Sequence, residues 1–522
     1  MTATHILLGF LLHIFLTDAA RILAVYPVAS ISHQVVFRPI TLELVKRGHE
    51  VVVITPDPMF PKGGKEKPPK NLTEIDVHDV SYATMTSFRK SSRGAKEDFF
   101  SQTAMIADVI IDQVDQQWQV EDVKEIIKGK KKFDILLIEA CIRQTLAFSH
   151  VYKVPVIKIS SFGATFGNNE AIGAVSHPLL YPTPMNLRIH NLTMYEKINE
   201  LYTTYMINKI LITDMAVGEQ RNIQKHFGPN VPDISELENN VDMLLLNVHP
   251  IWDGNRPVPP NVIYMGGLPQ KPHKELPADL KTYLDSSKHG VIYISFGTNV
   301  QPSLLPPEKI QILVRTFSKL PYDVLWKWDK DVLPGKSDNI RISKWLPQSD
   351  LLSKTSKVKL FVTQGGLQST DEAITGGVPL IGVPMLGDQW YNVEKYVYHG
   401  IGLKLDLGEL SEELFNKAIT TVINDESYRN NIIKLRTLML DQPQTPLDRA
   451  IWWIEYVLRH GGAKHLRSPA ANISWSQYLE LELVAVVLSA LFTLLLVIVT
   501  LVYSLYKFVS KNYIIKAKVK SS

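Results

Sequence analysis

The chain has one cysteine, Cys141, among 522 residues. A disulfide framework within the chain is therefore excluded, and so is any cysteine-rich zinc site. A charge excess of one sign is also missing. Lys and Arg number 56 against 52 Asp and Glu, a net charge of +4. Nucleic-acid binding needs a concentrated basic face, and the sequence has none. Charge is absent altogether from Leu483 to Tyr506. Lys and Arg are absent from the first twenty residues, which leaves only the terminal amine as a positive group there.

What is present fits a folded chain too long for one core. Apolar residues make up 45% and charged residues 21%, as in ordinary globular domains. The length suits two domains. The uncharged run 483–506 is long enough to cross about 30 Å of hydrocarbon. Glu480 and Glu482 precede it, while Lys507, Lys511, Lys516, Lys518 and Lys520 follow with no acid among them. The positive-inside rule makes 507–522 a cytosolic tail and puts the body in the lumen. At the other end, "HILLGFLLHIFL" (5–16) followed by Ala19 and Ala20 predicts a signal peptide over 1–20. A buried strand or helix is the competing reading. Sequons at Asn71, Asn191 and Asn472 agree with a lumenal body. The ending "KVKSS" resembles a dilysine retrieval signal, which makes the chain a single-pass type I protein of the endoplasmic reticulum membrane. A stop-transfer cluster of positive charge is the alternative.

"RILAVYPV" and "HEVVVITP" are continuous apolar runs around a helical pattern that ends at Gly48, which makes a βαβ unit. "FDILLIEA" and "VPVIKIS" repeat the pattern. A second series begins near 260 with "NVIYMGG", "GVIYISFG", "YDVLWKW", "KLFVTQGG" and "VPLIGVP". Unbroken apolar runs of this kind are buried parallel strands. The reading is α/β: two doubly wound Rossmann-like domains facing a cleft, over 21–254 and 262–470, joined by the proline-rich linker 255–261 and followed by one transmembrane helix. The amphipathic helix of "DRAIWWIEYVLRHGG" (448–462) carries Trp452, Trp453 and Tyr456 as packing residues.

The stretch "FVTQGGLQSTDEA" (361–373) places two glycines between a strand and the start of a helix. Gly365 and Gly366 allow close backbone approach, and first-turn N–H groups favour an anion. Ser369 and Glu372 stand three apart, which is also the capping-box spacing. Both readings stand on these residues alone.

Taken with "KWLPQSDLL" upstream and "GGVPLIGVPMLGDQWYN" downstream, the run from Trp345 to Asn392 closely resembles the signature of the UDP-glycosyltransferase family. The resemblance extends to the "SHQ" turn, to "DRAIWWIEYVLRHGGAKHLR" and to the membrane anchor, nearly the whole mature chain. It looks like the arthropod branch, which often reads "TQGG" where other members read "HGG". It implies a two-domain GT-B enzyme, with acceptor bound by the first domain and UDP-sugar by the second. Trp345 should stack on uracil and Gln348 lie against the uridine. Ser369 and Gln368 should meet the α-phosphate and Glu372 the ribose, while Gly366 belongs to the phosphate turn. Asp388 and Gln389 should hold the transferred sugar. Gly297 and Thr298 in "SFGT" resemble a second phosphate-facing turn. Gln364 replaces the family histidine that contacts the β-phosphate. It can donate to a phosphate oxygen but cannot become cationic, so leaving-group stabilisation rests more on helix N–H groups and Ser369.

An acceptor hydroxyl needs a general base, and His33 in "ASISHQ" matches the family base. Glu139, ending "FDILLIE", matches the position of the orienting carboxylate, usually Asp; Asp134 stands at the wrong end of that strand. Base and leaving group on opposite faces imply inversion. No cofactor is expected: UDP-sugar is a co-substrate, and "DKD" (329–331) lacks the surroundings of a metal motif. The implied activity is transfer of a hexose, glucose first and glucuronate as runner-up, to small lipophilic acceptors, as in detoxification or hormone and pigment conjugation. A non-catalytic UDP-sugar or lipophile-binding protein is the reading from another class. The acceptor should be set by 80–130 and 162–215, where no motif helps. Partners are the donor, the acceptor and membrane lipid, with homo-oligomerisation left open.

Overall fold

The computed structural model describes residues 19–91, 99–268 and 274–520. The expected signal segment lies outside the described residues except for Ala19 and Ala20. The chain divides between Pro469 and Ala470 into two compact units.

The larger unit holds two sheets. The first is built from β1 (Arg21–Val25), β2 (Glu50–Thr55), β3 (Leu72–Asp76), β4 (Ile135–Glu139), β5 (Val156–Ser160), β6 (Val241–Leu246) and β7 (Val262–Tyr264), in the order β3-β2-β1-β4-β5-β6-β7. The second is built from β8 (Val291–Ser295), β9 (Asp323–Lys327), β10 (Ile340–Ser343), β11 (Val358–Thr363), β12 (Leu380–Gly382) and β13 (Gly402–Lys404), in the order β10-β9-β8-β11-β12-β13. Every pairing between these strands is parallel. Helices cover both faces of such sheets, so the strands carry no polar alternation. β4 and β6 are buried at every residue.

Each sheet reverses its winding once, between β1 and β4 and between β8 and β11. A crevice opens beyond the carboxyl ends of the strands at such a point. The loops that follow β1, β4, β8 and β11 therefore carry the candidate site.

Three expectations about the domains need correction. "NVIY" does not open the second sheet; as β7 it pairs with β6 and closes the first. Residues 255–261 are not a free linker. Arg256 is buried, with its guanidinium donating to Asp253 and to the carbonyls of Val175 and Pro182. The passage between sheets follows Tyr264 instead. The helix Pro446–His460 also departs from the second domain. It lays Ala450, Ile451, Ile454 and Val457 into one core with Val36, Phe37 and Ile40 of the helix Ile31–Lys46. Arg47 fastens it through Glu455 at 3.1 Å. Its apolar stripe says that it packs, and does not say on which sheet.

The smaller unit contains the helix Leu481–Lys520, 40 residues in one run. Its segment Leu481–Tyr513 is long and apolar enough to cross a membrane, by length and composition.

Candidate active site

The loop after β1 leads into the helix Ile31–Lys46, whose first turn carries His33. The switch point brings it to the end of β4. His33 Nδ1 lies 2.5 Å from Glu139 Oε1. The second carboxylate oxygen accepts the backbone N–H of Val28 at 3.1 Å, which fixes the plane of the group. Glu139 is fully buried, whereas His33 keeps 17% of its side chain exposed. Phe162 meets the imidazole edge-on at 5.6 Å. Asp134 sits at the opposite end of β4, where it accepts Arg21 N at 2.7 Å. The longer Glu thus reaches the His33 imidazole from the end of β4.

On the second sheet the loops after β8 and β11 touch. Gly297 has φ +75°, and a Cβ there would collide with Gln364 Nε2. Only glycine allows that approach. Gln364 is buried and accepts Thr363 Oγ1 at 3.1 Å. The helix then begins at Leu367, with Gly366 as N-cap and no side-chain cap. This overturns the capping-box reading of Ser369 and Glu372. The helix starts three residues earlier than that box requires, with N-cap Gly366 rather than Ser369, because Gly366 adopts the extended N-cap conformation. Ser369 and Glu372 both serve Gln348 instead, which donates to Ser369 Oγ at 2.9 Å and Glu372 Oε2 at 2.6 Å. First-turn N–H groups left uncapped by side chains suit an anion.

Gln348 also accepts Tyr293 OH at 2.9 Å. Trp345 stands beside it with 65% of its surface exposed, its ring face 4.9 Å from Lys327 Nζ. Lys327 donates to Gly297 O at 2.8 Å. Burial raises the Glu372 carboxyl to about 7, against the lowering effect of Gln348. Gln368 donates to Ser32 O on the His33 side, and Ser30 Oγ donates to Asn299 Oδ1 at 3.2 Å. Thr298 adjoins Asn299 at the same wall.

Asp388 is raised to about 6, chiefly by burial, with Asn392 and the nearby His33 acting the other way. Asn392 Nδ2 donates to Asp388 Oδ2 at 2.8 Å and to Gly365 O at 2.9 Å. Gln389 accepts the backbone N–H groups of Met385 and Leu386, each at 2.9 Å, which leaves its amide N–H groups as donors.

These side chains line one cavity of about 410 Å³, with His33 on one wall and Gln364, Ser369, Glu372, Asp388 and Gln389 on the other. That is the size of a small-ligand pocket. Trp345, Gln348, Gly366, Gln368, Gly297 and Thr298 line it as well, so all eleven expected donor-side residues and His33 come together. Glu139 stands behind His33. Sequence reading missed Tyr293, Lys327, Asn392 and Trp252. The one usable signal was Lys327, a lone cation at the carboxyl end of an apolar strand run.

Other expected sites fare differently. Asn71 spends its amide on Val45 O (2.8 Å) and His49 O (2.7 Å), so its sequon is folded into the body. Asn191 is exposed and Asn472 half-buried, both with positive φ. Asp329 holds Ser303, and Asp331 pairs with Lys344 at 2.7 Å.

A family model described as UDP-glucoronosyl and UDP-glucosyl transferase matches residues 21–517. The chain belongs to that family. An ecdysteroid UDP-glucosyltransferase of Spodoptera littoralis nuclear polyhedrosis virus is 36% identical over 505 residues, covering 94% of this chain and 98% of the relative. UDP-glycosyltransferase UGT5 of Dactylopius coccus is 32% identical over 492 residues, covering 92% and 90%. Among solved structures, UDP-glucose:anthocyanidin 3-O-glucosyltransferase in complex with UDP aligns with TM-score 0.57 and 14% identity, over 85% of this chain and 100% of that one. The calicheamicin glycosyltransferase CalG4 aligns with TM-score 0.56 and 14% identity, over 85% and 99%. The fold is GT-B. The protein is a glycosyltransferase that moves a hexose from a UDP-sugar to a small molecule.

Proposed function

We propose that the enzyme transfers glucose from UDP-glucose to a hydroxyl of a lipophilic acceptor, with inversion, using His33 as base. The observation that carries this reading is the His33–Glu139 pair facing the donor wall across one cavity. Nδ1 donates to Glu139, which leaves Nε2 to take the acceptor proton. As that proton moves, the acceptor oxygen bonds to the anomeric carbon and the bond to the β-phosphate oxygen breaks. UDP leaves on the opposite face, and the proton passes from His33 to solvent.

Donor roles follow from the same wall. Trp345 takes the uracil, Gln348 the uridine, Glu372 the ribose hydroxyls, and Asp388 with Gln389 the glucose. Ser369, Gln368, Gln364 and the Gly297–Thr298 and Gly366 turns take the diphosphate. No step calls on a metal. Glucose as donor is supported by relatives named glucosyltransferases, and their ecdysteroid acceptors make steroids the first class to test. The Leu481–Tyr513 helix, the basic tail and the sequons at Asn191 and Asn472 support a type I anchor in the endoplasmic reticulum with a lumenal body, and the ecdysteroid relatives support hormone-conjugating or detoxifying work.

The test is UDP release from UDP-glucose with a phenolic or steroid acceptor, wild type against His33→Ala. Turnover by the wild type that the variant loses is expected. Background-level release from both proteins would overturn the reading.

A further inference from the structure

Behind the base lies a cluster that the transfer reaction does not use in full. Cys141 follows β4 by two residues and is 5% exposed. Its Sγ lies 3.7 Å from Glu139 Oε1, the same oxygen that meets His33 Nδ1 at 2.5 Å. The sulfur, the imidazole nitrogen and the carboxylate oxygen all fall within 4.8 Å of one another. Sulfur and imidazole nitrogen thus converge on one carboxylate oxygen.

We propose that His33, Glu139 and Cys141 form an inhibitory site for a soft divalent cation such as Zn²⁺ or Cd²⁺. Thiolate, imidazole and carboxylate are the ligand set such ions prefer. Tetrahedral bonds of about 2.0–2.3 Å separate ligand atoms by about 3.4–3.7 Å. The S–O distance already has that value. The N–O pair has to open by about 1 Å and the N–S pair to close by no more than about 1.3 Å, within reach of small side-chain rotations. Val28 N holds the other oxygen of Glu139, so the carboxylate is fixed in advance. The cation reaches the cluster from the cavity, past the exposed edge of His33.

The Cys141 S–H bond breaks and its proton leaves to solvent. The imidazole proton leaves Nδ1 for Nε2, and the metal bonds to Nδ1, sulfur and the carboxylate oxygen. An imidazole that carries its proton on Nε2 cannot accept one from the acceptor hydroxyl. Occupancy therefore stops transfer without touching the nucleotide wall. The inhibition rests on the reading of His33 as base; the metal site itself does not.

The test uses the full-length protein with CdCl₂ or ZnCl₂ as probe, and MgCl₂ as the hard-ion control. Cys141 is the sole cysteine, so any sulfur-to-cadmium charge-transfer absorbance reports this site. One equivalent of Cd²⁺ should raise that band, and Cys141→Ser, which keeps a hydrogen-bond donor of similar size, should abolish it. Transfer at saturating donor should fall in step with the band. Relative to each protein's own uninhibited rate, Cys141→Ser should raise the inhibitory midpoint at least about 10-fold, and Mg²⁺ should do nothing. No band, or an unchanged midpoint in Cys141→Ser, overturns the site. A full band with undiminished transfer overturns the inhibition and places the fault in the assignment of His33 as base.

Discussion

Trp252 donates its indole N–H to Asn392 Oδ1 at 2.9 Å, and so joins the two sheets through a single buried amide. Trp252 belongs to the loop beyond β6, and Asn392 to the helix Gln389–Tyr398 beyond β12. Tyr391 returns the contact by donating to Trp252 O at 2.9 Å. With its oxygen held, Asn392 points its nitrogen at Gly365 O and Asp388 Oδ2. The turn at Gly365 and the Asp388 carboxylate are thereby set from the opposite domain.

Trp252→Phe keeps an aromatic ring in place and removes the donor. Leaving a buried acceptor unpaired costs about 1–3 kcal/mol. The KM for UDP-glucose should rise about 10-fold, with the acceptor KM unchanged. Steady-state kinetics with each substrate varied in turn reads this. A lower melting temperature with unaltered donor KM would reduce Trp252 to a packing residue.

Gly297 and Gln364 make a second interlock. A methyl group at Gly297 would collide with the Gln364 amide and strain a backbone at φ +75°. Gly297→Ala should weaken UDP binding at least about 5-fold, since alanine at positive φ alone costs about 1 kcal/mol or more. Calorimetric titration with UDP measures it. Unweakened binding would mean that this turn stands away from the phosphates.

Much of this arrangement was legible in the sequence, for a physical reason. Parallel strands buried on both faces read as apolar runs, and ligand residues follow such runs at carboxyl ends. His33, Glu139, Gly297 and Gln364 all lie just beyond a strand or at its last residue. What stayed hidden depends on partners rather than on pattern. The run that became β7 looks like any other buried strand, and only pairing with β6 assigns it. Ser369 and Glu372 stand three apart whether they cap a helix or share the face that Gln348 contacts. Trp252 and Asn392 are 140 residues apart, so their contact is invisible before the chain folds.

Asp371 carries a thermodynamic signature. It is 7% exposed, and its Oδ2 has no hydrogen-bond partner. Burial, with the neighbouring Glu372 adding to it, raises the carboxyl to about 8. The folded protein therefore holds a proton that the unfolded chain gives up near its ordinary value of 3.8. Between these limits unfolding releases a proton, and stability falls as pH rises. Asp371→Asn removes the penalty. Its melting temperature should exceed that of the wild type at pH 8, and the difference should vanish towards pH 4. An equal difference at both pH values would point to altered packing instead.

Glu372 should make donor binding depend on pH. Ribose hydroxyls donate best to an ionised carboxylate, and burial holds this group near 7. UDP affinity should improve as pH rises through about 7, by up to about 10-fold per unit for one linked proton. Glu372→Gln should bind more weakly with a flat profile over the same range. A wild-type profile as flat as the variant's would remove the ribose from this carboxylate.

The last prediction concerns the charge behind His33. Glu139 divides its oxygens between Val28 N and His33 Nδ1. A glutamine must keep its oxygen on Val28 N, because two N–H groups cannot face each other there. Its amide nitrogen then faces His33 Nδ1, which has to become an acceptor. The proton moves to Nε2, the atom that must receive the acceptor's proton. Glu139→Gln should accordingly lower kcat by about 10²- to 10⁴-fold, the worth of a general base, with the donor KM unchanged. Glu139→Asp retains charge and tautomer, but its shorter arm cannot reach both Val28 N and the imidazole. A displaced base costs about 10- to 100-fold, so this variant should fall between. The ranking wild type, Asp, Gln separates tautomer control from bulk and charge. A glutamine variant faster than the aspartate variant would show that Glu139 only packs against His33.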